Sequence, residues 1–298
     1  MGAYHGGRRY VIAEQPLSPR DYDVPVGWWG WNWEPPIPMS ITEILRARNM
    51  DSRKAALCGM TIESHGSLLI AAEEPHSGKT TTLTALLDYL PHRVRRVFVR
   101  GWAETFDFVQ QTKADETILL ANELSSHLPV YLWGPKAVRV FSMLRRGYAL
   151  GSTLHADTAE EAVAQLTQEL GVPASDLAQV DLLMVMRIYA SESGGHTRRV
   201  VSVHRLGERD GELVLTPLVS HDADTDSFTH DADAELALLG ELRHEDSSAA
   251  SAALEKREKL LDDLGQRNVL DIPEVRAAIA ADRGERALMT LRGDPVNG

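Results

Sequence analysis

The chain has 298 residues, 43% of them hydrophobic, enough for a sizeable core in one large domain or one domain with appendages. Its 31 basic and 43 acidic residues leave a formal net charge of −12, which disfavours a broad nucleic-acid surface. The single cysteine, Cys58, excludes an intrachain disulfide and a cysteine-only zinc site, and no apolar run approaches a membrane span, so a soluble cytoplasmic protein is expected.

Residues 1–39 show little periodicity and carry Trp28, Trp29, Trp31 and Trp33 ahead of Pro35-Pro36-Ile37-Pro38, which predicts an extended, tryptophan-rich arm suited to packing or docking. Ser40 then opens a helix: Ser40-Ile41-Thr42-Glu43 is a capping box, with Ile41, Ile44 and Leu45 as the apolar stripe. A second helix fits Ser52–Glu63, and a buried strand fits Ser67–Ala72.

After that strand comes Glu73-Glu74-Pro75-His76-Ser77-Gly78-Lys79-Thr80-Thr81, then an apolar-periodic segment. Strand, turn, Gly-Lys-Thr and helix in that order predict a phosphate loop. Gly78 lets the backbone approach a phosphate, Lys79 reaches the β- and γ-phosphates of ATP, and the Thr80 hydroxyl ligates Mg²⁺; Ser77 and Thr81 flank them. The opening glycine of the pattern is replaced by Glu73, and Glu74 and His76 also lie in the loop, so carboxylates stand where a polyphosphate would sit. A surface turn ending in a lysine at a helix start is the plain alternative.

Further along, Thr81–Leu90 reads as helix, Arg95–Arg100 as strand, and Thr117–Ala121 as a buried strand ending in Asn122-Glu123. Pro135–Arg146 is a helix with proline in its first turn. Tyr148–Leu154 is a strand ending at His155, and Asp157 or Thr158 caps a helix running to Leu170, closed by Gly171. Val180–Ile188 is a strand, Ser191–Thr197 a turn, and Arg199–Leu206 with Glu212–Val219 a hairpin around Asp210-Gly211. Alternating strands and helices predict a mostly parallel sheet with an antiparallel edge hairpin. Residues 221–232 read as an acidic linker, and 233–298 as a helical region with helices over Asp233–His244, Ala249–Leu264 and Ile272–Ala281.

Several of these segments resemble, in one order, the secretion ATPase superfamily that serves type II secretion, type IV secretion, type IV pili and the archaellum. They are Ile41-Thr42-Glu43-Ile44-Leu45, the phosphate loop, the acidic position Glu104, the strand ending in Glu123, and Ser152-Thr153-Leu154-His155-Ala156-Asp157. The last is similar to the family's His box, with Asp157 in place of asparagine. Val180-Asp181-Leu182-Leu183 and Arg198-Arg199-Val200-Val201 are similar too, so the resemblance covers about residues 40–220.

The resemblance implies a RecA-like P-loop ATPase domain over residues 40–220, working as a hexameric ring with ATP between subunits. It implies Glu123 as the glutamate that polarises the attacking water, Glu104 as an acidic box residue, and His155 as a contact to the γ-phosphate side. It also implies partners: further copies of the chain or a full-length motor, and an inner-membrane secretion or pilus platform at whose inner face the protein would sit. Departures from the family are Arg100 and Gly101 at acidic positions, Asn122 before Glu123, and Ser125 where an arginine is expected. Each removes a charge or a positioning group, so hydrolysis is expected to be slow or dependent on a partner. A nucleotide-binding regulatory paralogue without turnover is the alternative. Glu123 and Glu104 could instead cap turns, and His155 could be a backbone-bonded core histidine. Arg95, Arg96, Arg145 and Arg146 are candidates to reach a neighbouring subunit's phosphates.

Overall fold

The computed structural model describes residues 38–190 and 195–285, and the backbone of a short antiparallel pair, β1 (Ala3–His5) with β2 (Arg8–Tyr10). The tryptophan-rich stretch and the first residues of the Ser191–Thr197 turn lie outside the described residues.

The chain opens with α1 (Ile41–Arg46) and α2 (Ser52–Glu63). Ser40 caps α1 through the Glu43 N–H while Glu43 caps the Ser40 N–H at 2.9 Å, the reciprocal arrangement its sequence predicts. Asp51 does the same one-sided service for α2, accepting the Lys54 N–H at 2.8 Å. Then follow β3 (Leu68–Ala71), α3 (Lys79–Leu86), β4 (Arg95–Phe98), β5 (Thr117–Ala121), α4 (Gly134–Leu144), β6 (Ala149–Leu154), α5 (Ala159–Ala164), α6 (Ala174–Leu177) and β7 (Leu182–Ala190). The predicted helix Thr81–Leu90 starts two residues earlier and tightens to a 3₁₀ turn over Leu87–Tyr89. The helix after Thr158 ends in a π-turn over Gln165–Glu169, and Thr158 rather than Asp157 is its cap.

One eight-stranded sheet organises the molecule, in the order β10-β9-β8-β7-β3-β6-β5-β4. Strands β3 to β7 are parallel. The edge is antiparallel, formed by β8 (His196–Arg209), β9 (Glu212–Asp222) and β10 (Ser227–His230). Alternation along β3 assigns its two faces. Leu68 and Ile70 join the core with α1, α2, α3 and the C-terminal helices, while Leu69 and Ala71 join the core with α4 and α5. The result is an α/β fold with helices on both faces of a mostly parallel sheet.

Residues 221–232, expected as a linker, are folded instead. The Asp222 carboxylate accepts the N–H groups of Asp224 and Thr225, making a turn that starts β10. Asp226 holds the left-handed position of that turn (φ 47°) and accepts two bonds from Arg199 and one from His221. Acidic composition here reflects turn and ion-pair chemistry.

Three C-terminal helices, α7 (Ala232–Arg243), α8 (Ser247–Gln266) and α9 (Ile272–Asp282), pack on the α1–α2 face. Leu254, Leu261, Leu264, Val275 and Ile279 are all buried there. Burying five such side chains is worth on the order of 10 kcal/mol. Exposed ion pairs such as Arg267–Asp263 add about 0–1 kcal/mol each, so the apolar stripe fixes where α8 lies. Among the described residues, no helix is long and apolar enough to cross a membrane.

Candidate functional site

Strand β3 is the switch in the sheet: β6, β5 and β4 lie on one side of it, and β7 on the other. In such sheets the crevice beyond the carboxyl end of the switch strand is where ligands bind. The Gly-Lys-Thr loop sits there. The Ala72 N–H still pairs with the Leu154 carbonyl at 3.2 Å, after which the chain turns away.

Gly78 caps α3 in the left-handed conformation (φ 92°), which L-residues adopt at a cost. His76, two residues earlier, holds the same conformation (φ 62°) without glycine's freedom. The first N–H groups of α3 lack intrahelical partners by geometry and point out of the helix start. Ser77 is buried and its Oγ has no hydrogen-bond partner among the described residues. Lys79 is buried, with Nζ donating to the Ala72 carbonyl at 2.8 Å. Burial lowers its pKa, opposed by the carboxylates of Glu123, Glu73 and Glu74. Thr80 is half-buried and Thr81 follows it in the first turn of α3. An unpartnered hydroxyl, a buried ammonium and a left-handed glycine at a helix start fit a phosphate group. The Glu73 side chain is exposed, whereas Glu74 Oε2 is buried without a partner among the described residues.

Two strands away, β5 delivers Glu123. The Thr153 hydroxyl donates to the Asn122 carbonyl at 2.8 Å and Ser152 Oγ donates to the Ala121 carbonyl at 2.9 Å. The Leu124 N–H meets the Thr153 carbonyl at 2.8 Å. The Ser152 and Thr153 hydroxyls therefore fix the strand end that presents Glu123. Sequence reasoning missed this role. The available signal was two hydroxyl side chains inside an otherwise apolar buried strand, which need partners.

His155, just past β6, joins loop and glutamate. Its Nδ1 lies 2.9 Å from the Glu73 carbonyl oxygen and its Nε2 lies 3.3 Å from Glu123 Oε2. The hydrogen bond to Glu123 raises its pKa, against burial and the charge of Lys79. Lys79, Glu123 and His155 are thus brought together around the loop.

Glu104 is placed differently. Its Oε2 accepts the Arg100 N–H at 2.9 Å and its Oε1 accepts the Phe106 N–H, so both oxygens clamp the backbone of one loop. Gly101 in that loop is left-handed (φ 55°), and a side chain there would lie 2.4 Å from the Pro129 carbonyl oxygen. The structure leaves no room for an acidic residue at that position.

One cation reaches the loop from the antiparallel side. Arg198, at the start of β8, donates from Nε to the His76 carbonyl at 2.9 Å. A Cβ built on Gly78 would lie 3.2 Å from its Cδ. Among the arginines considered from sequence, Arg96 donates to the Leu87 carbonyl at 2.7 Å and Arg145 pairs with Asp176 at 2.7 Å.

Fold and site together define an α/β protein with a Gly-Lys-Thr loop at the carboxyl end of its switch strand. No family model matches the chain. Among curated proteins it is similar to the uncharacterized protein MJ0900 of Methanocaldococcus jannaschii, at 25% identity over 82% of this chain and 49% of that one, so it spans about half the length of that relative. Among solved structures it is similar to the VirB11 ATPase of the Brucella suis type IV secretion system, at 14% identity and a TM-score of 0.34, over 61% of this chain and 53% of that one. It is similar also to the ATPase DotB of Yersinia pseudotuberculosis, at 12% identity and a TM-score of 0.34 over 76% of this chain and 60% of that one. The DotB of Legionella pneumophila aligns at 14% identity and a TM-score of 0.33 over 85% and 65%.

Proposed function

We propose that the chain is an ATP-binding motor ATPase of the type II and type IV secretion and pilus-assembly class, with slow or partner-dependent turnover. The observation that carries the reading is the convergence of Lys79, Glu123 and His155 at the loop beyond β3. In it, the Ser77, Gly78, Lys79, Thr80 and Thr81 segment binds the phosphates, and Thr80 holds Mg²⁺. The metal, when bound with nucleotide, neutralises charge on the phosphate oxygens.

Each protein group then has one task. Lys79 leaves the Ala72 carbonyl for a phosphate oxygen, exchanging a neutral acceptor for a charged one. Glu123, held by the strand-end hydroxyl bonds, orients water and accepts its proton. His155 keeps loop and glutamate in register. Three carboxylates around one lysine make the site electronegative, which opposes a polyphosphate until a cation enters. Slow turnover follows.

Residues 40–220 are taken as the motor unit, with the helical region 233–298 beside it, and the working form as a hexameric ring or a mixed ring with a full-length motor. The ring would act at the inner face of a membrane, against a secretion or pilus platform protein. A second reading, a regulatory paralogue that binds nucleotide without hydrolysis, is favoured by one observation: both oxygens of Glu104 are committed to backbone.

Steady-state hydrolysis with Mg²⁺, scanned over protein concentration, separates the two. Activity that rises more than linearly and disappears in Glu123→Gln supports the motor. Binding without turnover at every concentration supports the regulatory paralogue.

A further inference from the structure

Beside the Gly-Lys-Thr loop, His127, which the nucleotide reading does not use, joins Glu123 and His155 in a group of ligand atoms. One nitrogen of His127, one of His155 and one carboxylate oxygen of Glu123 all lie within 4.8 Å of one another. We propose that Glu123, His127 and His155 bind a zinc-class divalent cation, independently of nucleotide.

Hydrogen-bond logic supports the site. The Glu73 carbonyl can only accept, so His155 Nδ1 is the donor in that 2.9 Å contact. That fixes the lone pair of neutral imidazole on Nε2, aimed at Glu123 Oε2 at 3.3 Å. A lone pair and a carboxylate oxygen at that distance repel unless a cation, proton or metal, lies between them. A backbone carbonyl behind a ring nitrogen is also the usual orienting contact of a metal-bound histidine. Independently, Glu123 Oε1 is buried with no hydrogen-bond partner among the described residues, although the residue is only 8% exposed. A buried carboxylate oxygen without a partner is costly and favours a cation.

The donor set selects the metal class. Two imidazoles and one carboxylate, with no thiolate, suit zinc and its first-row neighbours better than Mg²⁺ or Ca²⁺. Bonds of about 2.1 Å place tetrahedral ligands roughly 3.4 Å apart, closer than the present spread. His127 is exposed and has room to swing inward; its backbone N–H is held by Ser125 Oγ at 3.1 Å. Lys79 adds a positive charge nearby, offset by Glu73 and Glu74. The His127 and His155 rings already lie 6.1 Å apart, centroid to centroid. The metal would compete with water for Glu123 and so arrest turnover; that consequence rests on the motor reading, whereas the binding does not.

The test uses the full chain, stripped of metal and free of nucleotide, titrated with Co²⁺ and then Zn²⁺. Calorimetry gives the stoichiometry, and visible absorption reports the Co²⁺ ligand field. One equivalent should bind, displaced by Zn²⁺. His127→Ala and His155→Gln should each weaken binding at least about tenfold, and far-ultraviolet circular dichroism should show both variants folded. Binding unchanged in both variants lies elsewhere on the chain and overturns the proposal, as does no binding by millimolar metal. Neither result bears on whether ATP binds.

Discussion

The Arg198 guanidinium is bonded across the Gly-Lys-Thr loop to His76, with Nε 2.9 Å from the carbonyl oxygen. A half-buried arginine held over a loop by one backbone acceptor can turn to a stronger one. A charge-assisted bond to phosphate is worth about 1.5–3 kcal/mol where a neutral bond is worth about 1. Arg198→Ala should therefore weaken Mg-ATP binding by roughly tenfold with little change in Tm, measured by calorimetry beside a thermal melt. Unchanged affinity would leave Arg198 as a loop brace only.

Gly59 is the contact point of α2 with the 3₁₀ turn after α3. A Cβ there would lie 2.2 Å from the Tyr89 ring, and Tyr89 is fully buried. Alanine gains about 1 kcal/mol in helix propensity over glycine. Forcing a methyl into a closed core costs about 1–3 kcal/mol. At this separation the clash wins, so Gly59→Ala should lower Tm by several degrees. Adding Tyr89→Leu should recover part of the loss.

Glu63, at the end of α2, is the hub that ties the C-terminal helices down. It meets Arg257 at 3.0 Å, Arg283 at 3.2 Å and Arg243 at 3.6 Å. Arg257 keeps one other carboxylate, Asp282 at 2.8 Å. Removing one partner of a buried pair costs about 3 kcal/mol. Glu63→Ala should lose about that much in urea unfolding. It should also expose α7–α9 to limited proteolysis before the sheet is cut.

His230 sets a pH dependence. Burial opposes its charge, but hydrogen bonds to Asp51 at 2.9 Å and Glu235 outweigh burial and raise its pKa from 6.5 to about 9. A raised pKa means the folded state holds the proton more tightly than the unfolded chain. That contribution is complete below the unfolded value of 6.5 and is lost as pH climbs through about 9. Unfolding midpoints in urea should fall over that window. His230→Gln should flatten the wild-type difference, while an equal slope in the variant would place the titration elsewhere.

Much of this was readable in advance. The capping box at Ser40 and Glu43, the helix Ser52–Glu63 and the strand Thr117–Ala121 follow from local chemistry, and their bounds in the structure match it. The loop was readable because Gly78 and Lys79 sit between a buried strand and a helix start. Three things were not. Residues 221–232 look like a linker because a stretch of aspartates reads as solvated, and it is the positions of Arg199 and His221 that turn Asp226 into a partner. Arg198 and His76 are 122 residues apart, and no local pattern brings such residues together. His127 carries no ligand spacing in the sequence; it joins Glu123 and His155 only through the turn after β5.

Binding of a nucleotide polyphosphate by the Gly78-Lys79 loop is tested most directly by calorimetric titration of the full chain with ATP and Mg²⁺, beside Lys79→Ala. Saturable binding in the wild type, weakened about tenfold or more in a variant of equal thermal stability, is the predicted result. No binding, or equal binding by both proteins, would contradict it.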